Sequence, residues 1–100
     1  MNGYCMVQIT VHNADEYAKY AKLAGPAVEK FGGEFLARAG KCLTKEGPVQ
    51  LRNVIIKFPD FDSAVTFYES EEYSQALKFA LAEGVSTRNY TIVELSLIHI

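Results

Sequence analysis

The stretch VIIKFPDFDSAVTFYESEEY, Val54 to Tyr73, sets an apolar β-branched run, a proline stop and an aromatic amphipathic segment in direct succession. Branched side chains at Cβ crowd a helix and suit a pleated surface, so Leu51 to Phe58 reads as a strand. Pro59 removes a backbone donor and closes that strand. Asp60 carries the short side-chain oxygen that satisfies free amides at a helix start, and Phe61, Ala64, Val65 and Tyr68 follow at helical spacing. Ser70 repeats the cap: Glu71 and Glu72 suit the positive end of a new helix, and Tyr73, Ala76, Leu77 and Ala80 form its apolar stripe. Gly84 ends this helix, and Asn89 to Glu94 reads as the last strand.

Upstream of the stretch the same signals recur. Residues 4–12 alternate, with Cys5, Val7, Ile9 and Val11 on one face and Tyr4, Met6, Gln8, Thr10 and His12 on the other. Asn13 followed by Glu16 is a capping pair, so a helix starts near Ala14, with Tyr17, Tyr20, Ala24, Ala27, Val28 and Phe31 as its stripe. Gly25-Pro26 interrupts it, and either a kink or two abutting helices are expected there. Gly32-Gly33 closes the segment. Glu34 to Ala39 alternates again as a second strand, which either stops or continues through Lys41 to Lys45 past a bulge at Gly40 before a turn at Glu46-Gly47-Pro48.

The resulting order, strand-helix-strand-strand-helix-strand, is the ferredoxin-like α+β pattern: a four-stranded antiparallel sheet with its helices on one face. On strict alternation the other face carries Met6, Gln8, Thr10, Leu36, Arg38, Ile55 and Lys57. This mixture of apolar and polar groups suits a semi-buried surface, and a homodimer through the sheet face would cover it.

The chain has 100 residues, 49% hydrophobic and 22% charged, with three prolines and no low-complexity run, which fits one globular domain. Its net charge of −2 supplies no basic footprint, so no nucleic-acid partner is expected. The start, MNGYCMVQITV, lacks the basic and long apolar regions of a leader, and no apolar run approaches ~18 residues, so no membrane association and a cytoplasmic location are expected. Cys5 and Cys42 form no CxxC and have no neighbouring His pair; two ordinary buried or half-buried thiols are expected, with no metal.

The last six residues, LSLIHI, continue the final strand by composition. They are also what one frame of a widely used transposase sequencing adapter encodes. The domain is therefore expected to span 1–94, with 95–100 an adapter-derived tail, and His99 enters no site hypothesis.

Against this background the chain resembles the domain of unknown function 1330 family, small proteins whose fold is the dimeric ferredoxin-like one, a dimeric α/β barrel. The likeness runs from Tyr4 to Glu94. It is carried by Asn13-Ala14-Asp15-Glu16-Tyr17, the helix around Pro26, Phe31-Gly32-Gly33 with Phe35-Leu36-Ala37-Arg38, the turn Glu46-Gly47, and Phe58-Pro59-Asp60 through Phe67-Tyr68, Ser70 and Tyr73. Three positions depart from it: Lys57 stands where a Glu is expected, Phe67 where a Trp usually precedes the Tyr, and Ala80 where an Arg is frequent. Any function that needs such a Glu and Arg is in doubt for this chain.

Candidate site residues follow from side-chain chemistry. His12 is the imidazole suited to acid/base work near neutral pH, against a structural role at a strand end. Arg38 and Lys57 can hold a carboxylate or enolate, with Glu46 as counterion or general base; the alternative is an intersubunit salt bridge or a solvated rim. Phe61, Phe67, Tyr68, Tyr73, Tyr17, Tyr20 and Phe31 form either core or a pocket between helices and sheet, with Tyr68 and Tyr73 as ligand-binding candidates because a buried phenol needs a partner. No cofactor is expected, since no dinucleotide fingerprint, phosphate loop or haem signal is present. Two functions remain open. The favoured one is a dimeric binding or structural module; the alternative is a cofactor-independent enzyme, monooxygenase- or isomerase-like, acting on a small organic substrate by fold-level analogy.

Overall fold

A computed structural model describes residues 1–96. Its elements in chain order are β1 (Gly3–Val11), α1 (Ala14–Lys30), β2 (Glu34–Arg38), β3 (Arg52–Phe58), α2 (Phe61–Glu69), α3 (Glu71–Ala80) and β4 (Ser86–Glu94). The strands form one antiparallel sheet in the order β2-β3-β1-β4. This is the ferredoxin-like arrangement, its second helical layer divided in two at Ser70.

Alternation explains which side of the sheet is covered. Cys5, Val7 and Ile9 of β1 and Val54, Ile56 and Phe58 of β3 are buried against Tyr17, Ala24 and Val28 of α1, Ala64 and Phe67 of α2 and Tyr73, Ala76 and Ala80 of α3. The intervening residues face away from the helices: Met6 is 47% exposed and Ile55 36%, with Gln8, Asn89 and Thr91 beside them.

The caps form as their side chains dictate. Asn13, Asp60 and Ser70 accept from the backbone N–H groups of Glu16, Ser63 and Tyr73, respectively. Gly32, at φ 81°, follows the end of α1. The two abutting helices allowed for at Gly25-Pro26 do not form, and α1 continues through Pro26 as one element. Pro26 is exposed and forfeits one backbone bond, while buried Ala24, Gly25, Ala27 and Val28 hold the helix to the sheet on either side.

Three further expectations change. The bulge lies between Phe35 and Ala37, not at Gly40. Residues 40–51 belong to no strand, because Gly47 at φ 89° and Pro48, which lacks a donor, interrupt the segment that would have to pair with 41–45. Finally, β4 begins at Ser86, three residues before Asn89, since Thr10 and Val11 of β1 continue the ladder to Thr87 and Ser86. Of the thiols, Cys5 is buried as expected, but Cys42 is exposed on the 40–51 loop, its Sγ 3.5 Å from the Leu51 carbonyl oxygen. The expected tail falls largely outside the described residues; within them, the Leu95 N–H donates to the Asn2 carbonyl.

Candidate functional site

The end of the sheet where β1 leaves for α1 carries three arginines on its helix side. Ile9 of β1 pairs with Arg52 of β3 on one side and with Arg88 of β4 on the other. Two strand spacings put their Cα atoms about 10 Å apart, within reach of one small ligand between their long side chains. Arg38 joins them through the bulge. Regular pairing would set it opposite Asn53 on the open face; one extra residue in β2 sets it opposite Val54 and turns it toward the helices. The expected placement of Arg38 beside Gln8 and Lys57 is thereby corrected.

Each guanidinium lies over an aromatic ring: Arg38 4.1 Å from the centre of Phe35, Arg52 5.6 Å from Tyr17 and Arg88 4.6 Å from Tyr20. Such stacking orients the plane and leaves the N–H edges for hydrogen bonds. Gly25 makes room on the helix side, since a Cβ there would stand 3.3 Å from an Arg38 terminal nitrogen. The Nε atoms of Arg52 and Arg88 are buried with no hydrogen-bond partner. An unsatisfied buried donor costs about 1–3 kcal/mol.

Above Arg88 stands a phenol pair. Tyr20 Oη and Tyr73 Oη are 2.8 Å apart, and one terminal nitrogen of Arg88 donates to both, at 2.9 and 3.2 Å. Tyr20 comes from the second turn of α1; Tyr73 is 1% exposed and is set by the Ser70 cap at the start of α3. Burial pushes the Tyr73 phenol far above its ordinary range, reinforced by Tyr20 and opposed by Arg88. Burial likewise raises Tyr17, with Arg88 opposing. Burial works against the charge of Arg88, but the Tyr20 and Tyr73 oxygens outweigh it, so Arg88 stays cationic. At neutral pH Tyr17 and Tyr73 are therefore neutral hydrogen-bonding groups beside fixed positive charge.

Together these groups line a crevice between α1 and the sheet, floored by Val7, Ile9, Val54 and Ile56 and walled by Ala21, Ala24 and Val28. Its cavity measures about 30 Å³, room for one or two waters, and is open to solvent on one side. Arg38, among its lining residues, is exposed. No carboxylate is among the lining residues, and the ion pairs of the described residues, Lys19–Glu16 and Lys30–Glu72, lie elsewhere.

The other sequence-derived candidates are dispersed. Tyr68 stacks behind the site, 5.4 Å from Tyr73 and 4.8 Å from Tyr90 ring to ring, and does not line the crevice. Lys57 is on the open face between Tyr4 and Glu34. His12 bonds Thr87 Oγ1 at 2.9 Å beyond the end of β1, and Glu46 is exposed in the 40–51 loop. Phe67 is wholly buried, with Phe31 packed edge-on to it at 6.0 Å. The sequence left out Arg52 and Arg88. Extending the Tyr90, Ile92 alternation back by two residues would have placed Arg88 on the helix side; starting β4 at Asn89 concealed it.

A family model described as Domain of unknown function (DUF1330) matches residues 2–95. Solved structures of similar fold include a protein of unknown function from Rhodopseudomonas palustris, at 18% identity and TM-score 0.76, covering 95% of this chain and 82% of that one. A dimeric ferredoxin-like protein of unknown function from Jannaschia sp. is 11% identical with TM-score 0.72, covering 95% of this chain and all (100%) of that one. SnoaB, a cofactor-independent oxygenase from Streptomyces nogalater, is 15% identical with TM-score 0.64, covering 97% and 95%. At such identities the likeness shows the fold alone. No curated protein sequence matches the chain significantly.

Proposed function

The chain belongs to the DUF1330 family, and we propose that it is a homodimeric small-molecule-binding module whose open sheet face packs on a second copy while the helix-side crevice receives the ligand. The observation that carries this reading is the gathering of Arg38, Arg52, Arg88, Tyr17, Tyr20 and Tyr73 from five elements around one crevice. Concave sites with an apolar floor and a few convergent polar groups are the usual form of ligand pockets. Exposed Met6 and Ile55 at the centre of the opposite face, and Leu36 toward its β2 edge, favour a partner there, and the Jannaschia neighbour is described as dimeric.

Binding is favoured over acid/base catalysis by the chemistry of the lining, which offers cations and phenols but neither a carboxylate nor an imidazole. SnoaB is described as an oxygenase; a reaction of that kind here would need a group to take a substrate proton, and His12 and Glu46 both lie outside the crevice. Light scattering at micromolar concentration is expected to give twice the 11.1 kDa chain mass, and Ile55→Lys to give the single mass. In a fragment screen by saturation-transfer NMR, the wild type is expected to show binders whose signal disappears in Ala21→Phe, which fills the crevice wall. A monomeric wild type, or binders indifferent to Ala21→Phe, would contradict the proposal.

A further inference from the structure

Resting on that reading, the geometry points to the ligand class: an organic carboxylate with a small apolar body, its carboxylate held between Arg52 and Arg88 and hydrogen-bonded by the Tyr20–Tyr73 phenol pair. Three fixed cations share a crevice whose lining holds no acidic group. Like charges gathered without a counterion repel one another, and an anion relieves that repulsion. The Nε donors of Arg52 and Arg88 are buried with no partner, so two N–H groups beside Ile9 lack an acceptor.

The proton count of the phenol pair leads to the same ligand. Arg88 donates to both oxygens, and the phenol–phenol bond consumes one of the two O–H protons. One O–H is left without a use inside the trio. With Tyr73 as the donor in the phenol–phenol bond, the spare proton is on Tyr20, which is half-buried and lines the crevice, and is available to an acceptor there. A guest meeting these groups must be anionic, must accept several hydrogen bonds and must match guanidinium edges; a carboxylate does all three. An apolar floor of Val7, Ile9 and Val54 favours an organic body over a small inorganic anion.

The test is isothermal titration of the full chain with butyrate and benzoate, their neutral amides butyramide and benzamide, and inorganic sulfate. Carboxylates are expected to bind at least about tenfold more tightly than their amides, the scale of one charge-assisted hydrogen bond, and to weaken as salt is raised. Arg88→Met is expected to abolish the preference. Because Arg88 is half-buried and its loss can harm folding, Arg52→Met and Tyr20→Phe supply independent variants, each expected to narrow the carboxylate-to-amide ratio while the circular dichroism stays unchanged. Amides that bind as well as carboxylates would overturn the anion class and leave the binding module standing. Sulfate binding as tightly as benzoate would overturn the organic body. No binding by any of the five probes, with no fragment binders either, would remove both readings.

Discussion

Arg38 faces the helices because β2 carries one residue more than its partner strand requires, and the charge of the crevice depends on that extra residue. Nothing in EFLAR signals it, since the spacing of apolar and polar residues fits unbroken alternation equally well. Asp60 is the opposite case, a residue whose role is local and visible. Its carboxylate accepts the Ser63 N–H at 2.6 Å, and the hydrogen bonds to Ser63 hold its pKa below the usual carboxylate range. A depressed folded-state pKa stabilises the fold above the unfolded value, and the contribution is lost as pH falls through the folded one. Stability measured by chemical denaturation is thus expected to fall less steeply between about pH 4 and pH 2 in Asp60→Asn, which keeps the cap without the titration. An unchanged acid limb would mean that the cap contributes nothing pH-dependent.

Ser70 separates α2 from α3 and serves both. Its Oγ donates to the Phe67 carbonyl at 2.7 Å, and it accepts from the Tyr73 N–H at 3.1 Å, so one hydroxyl closes one helix and opens the next. Ser70→Ala is expected to cost about 0.5–2 kcal/mol, lowering Tm by roughly 4–8 °C per kcal/mol in a domain of this size, as read by thermal denaturation. It should also loosen Tyr73 and with it the phenol pair. At this scale the sequence was legible wherever the signal was local: Asn13, Asp60 and Ser70 cap where their side chains say they should, and the strand–helix order follows from periodicity. It was not legible where a neighbouring element decides. Pro26 stays within α1 because packing on both sides holds the helix. The strand β4 starts earlier than expected and takes in Arg88, because β1 offers ladder partners as far as Val11. Of the site, Tyr73, Tyr20, Tyr17 and Arg38 were in view as residues, but their convergence with Arg52 and Arg88 depends on the bulge and the register.

In the whole molecule the two faces of the sheet divide the work. The helix side is filled at one end by Phe58, Phe67, Ala64 and Ala76, and at the other it is left open to a crevice ringed by cations. The bare side carries Met6 and Ile55 among Gln8, Asn89 and Thr91, a semi-polar surface suited to a second copy. Among the described residues no helix is long and apolar enough to cross a membrane, and no cluster of side chains suits a metal ion. On the helix side Arg38, Arg52 and Arg88 line one crevice with Tyr20 and Tyr73. A crystal structure of the protein soaked with benzoate puts this account to its most direct test. The account predicts carboxylate density bridging Arg52 and Arg88, within hydrogen-bond distance of Tyr20 or Tyr73, with the ring over Ile9 and Val54. An Asp or Glu side chain of a second copy seated between the arginines, with benzoate excluded, would contradict it.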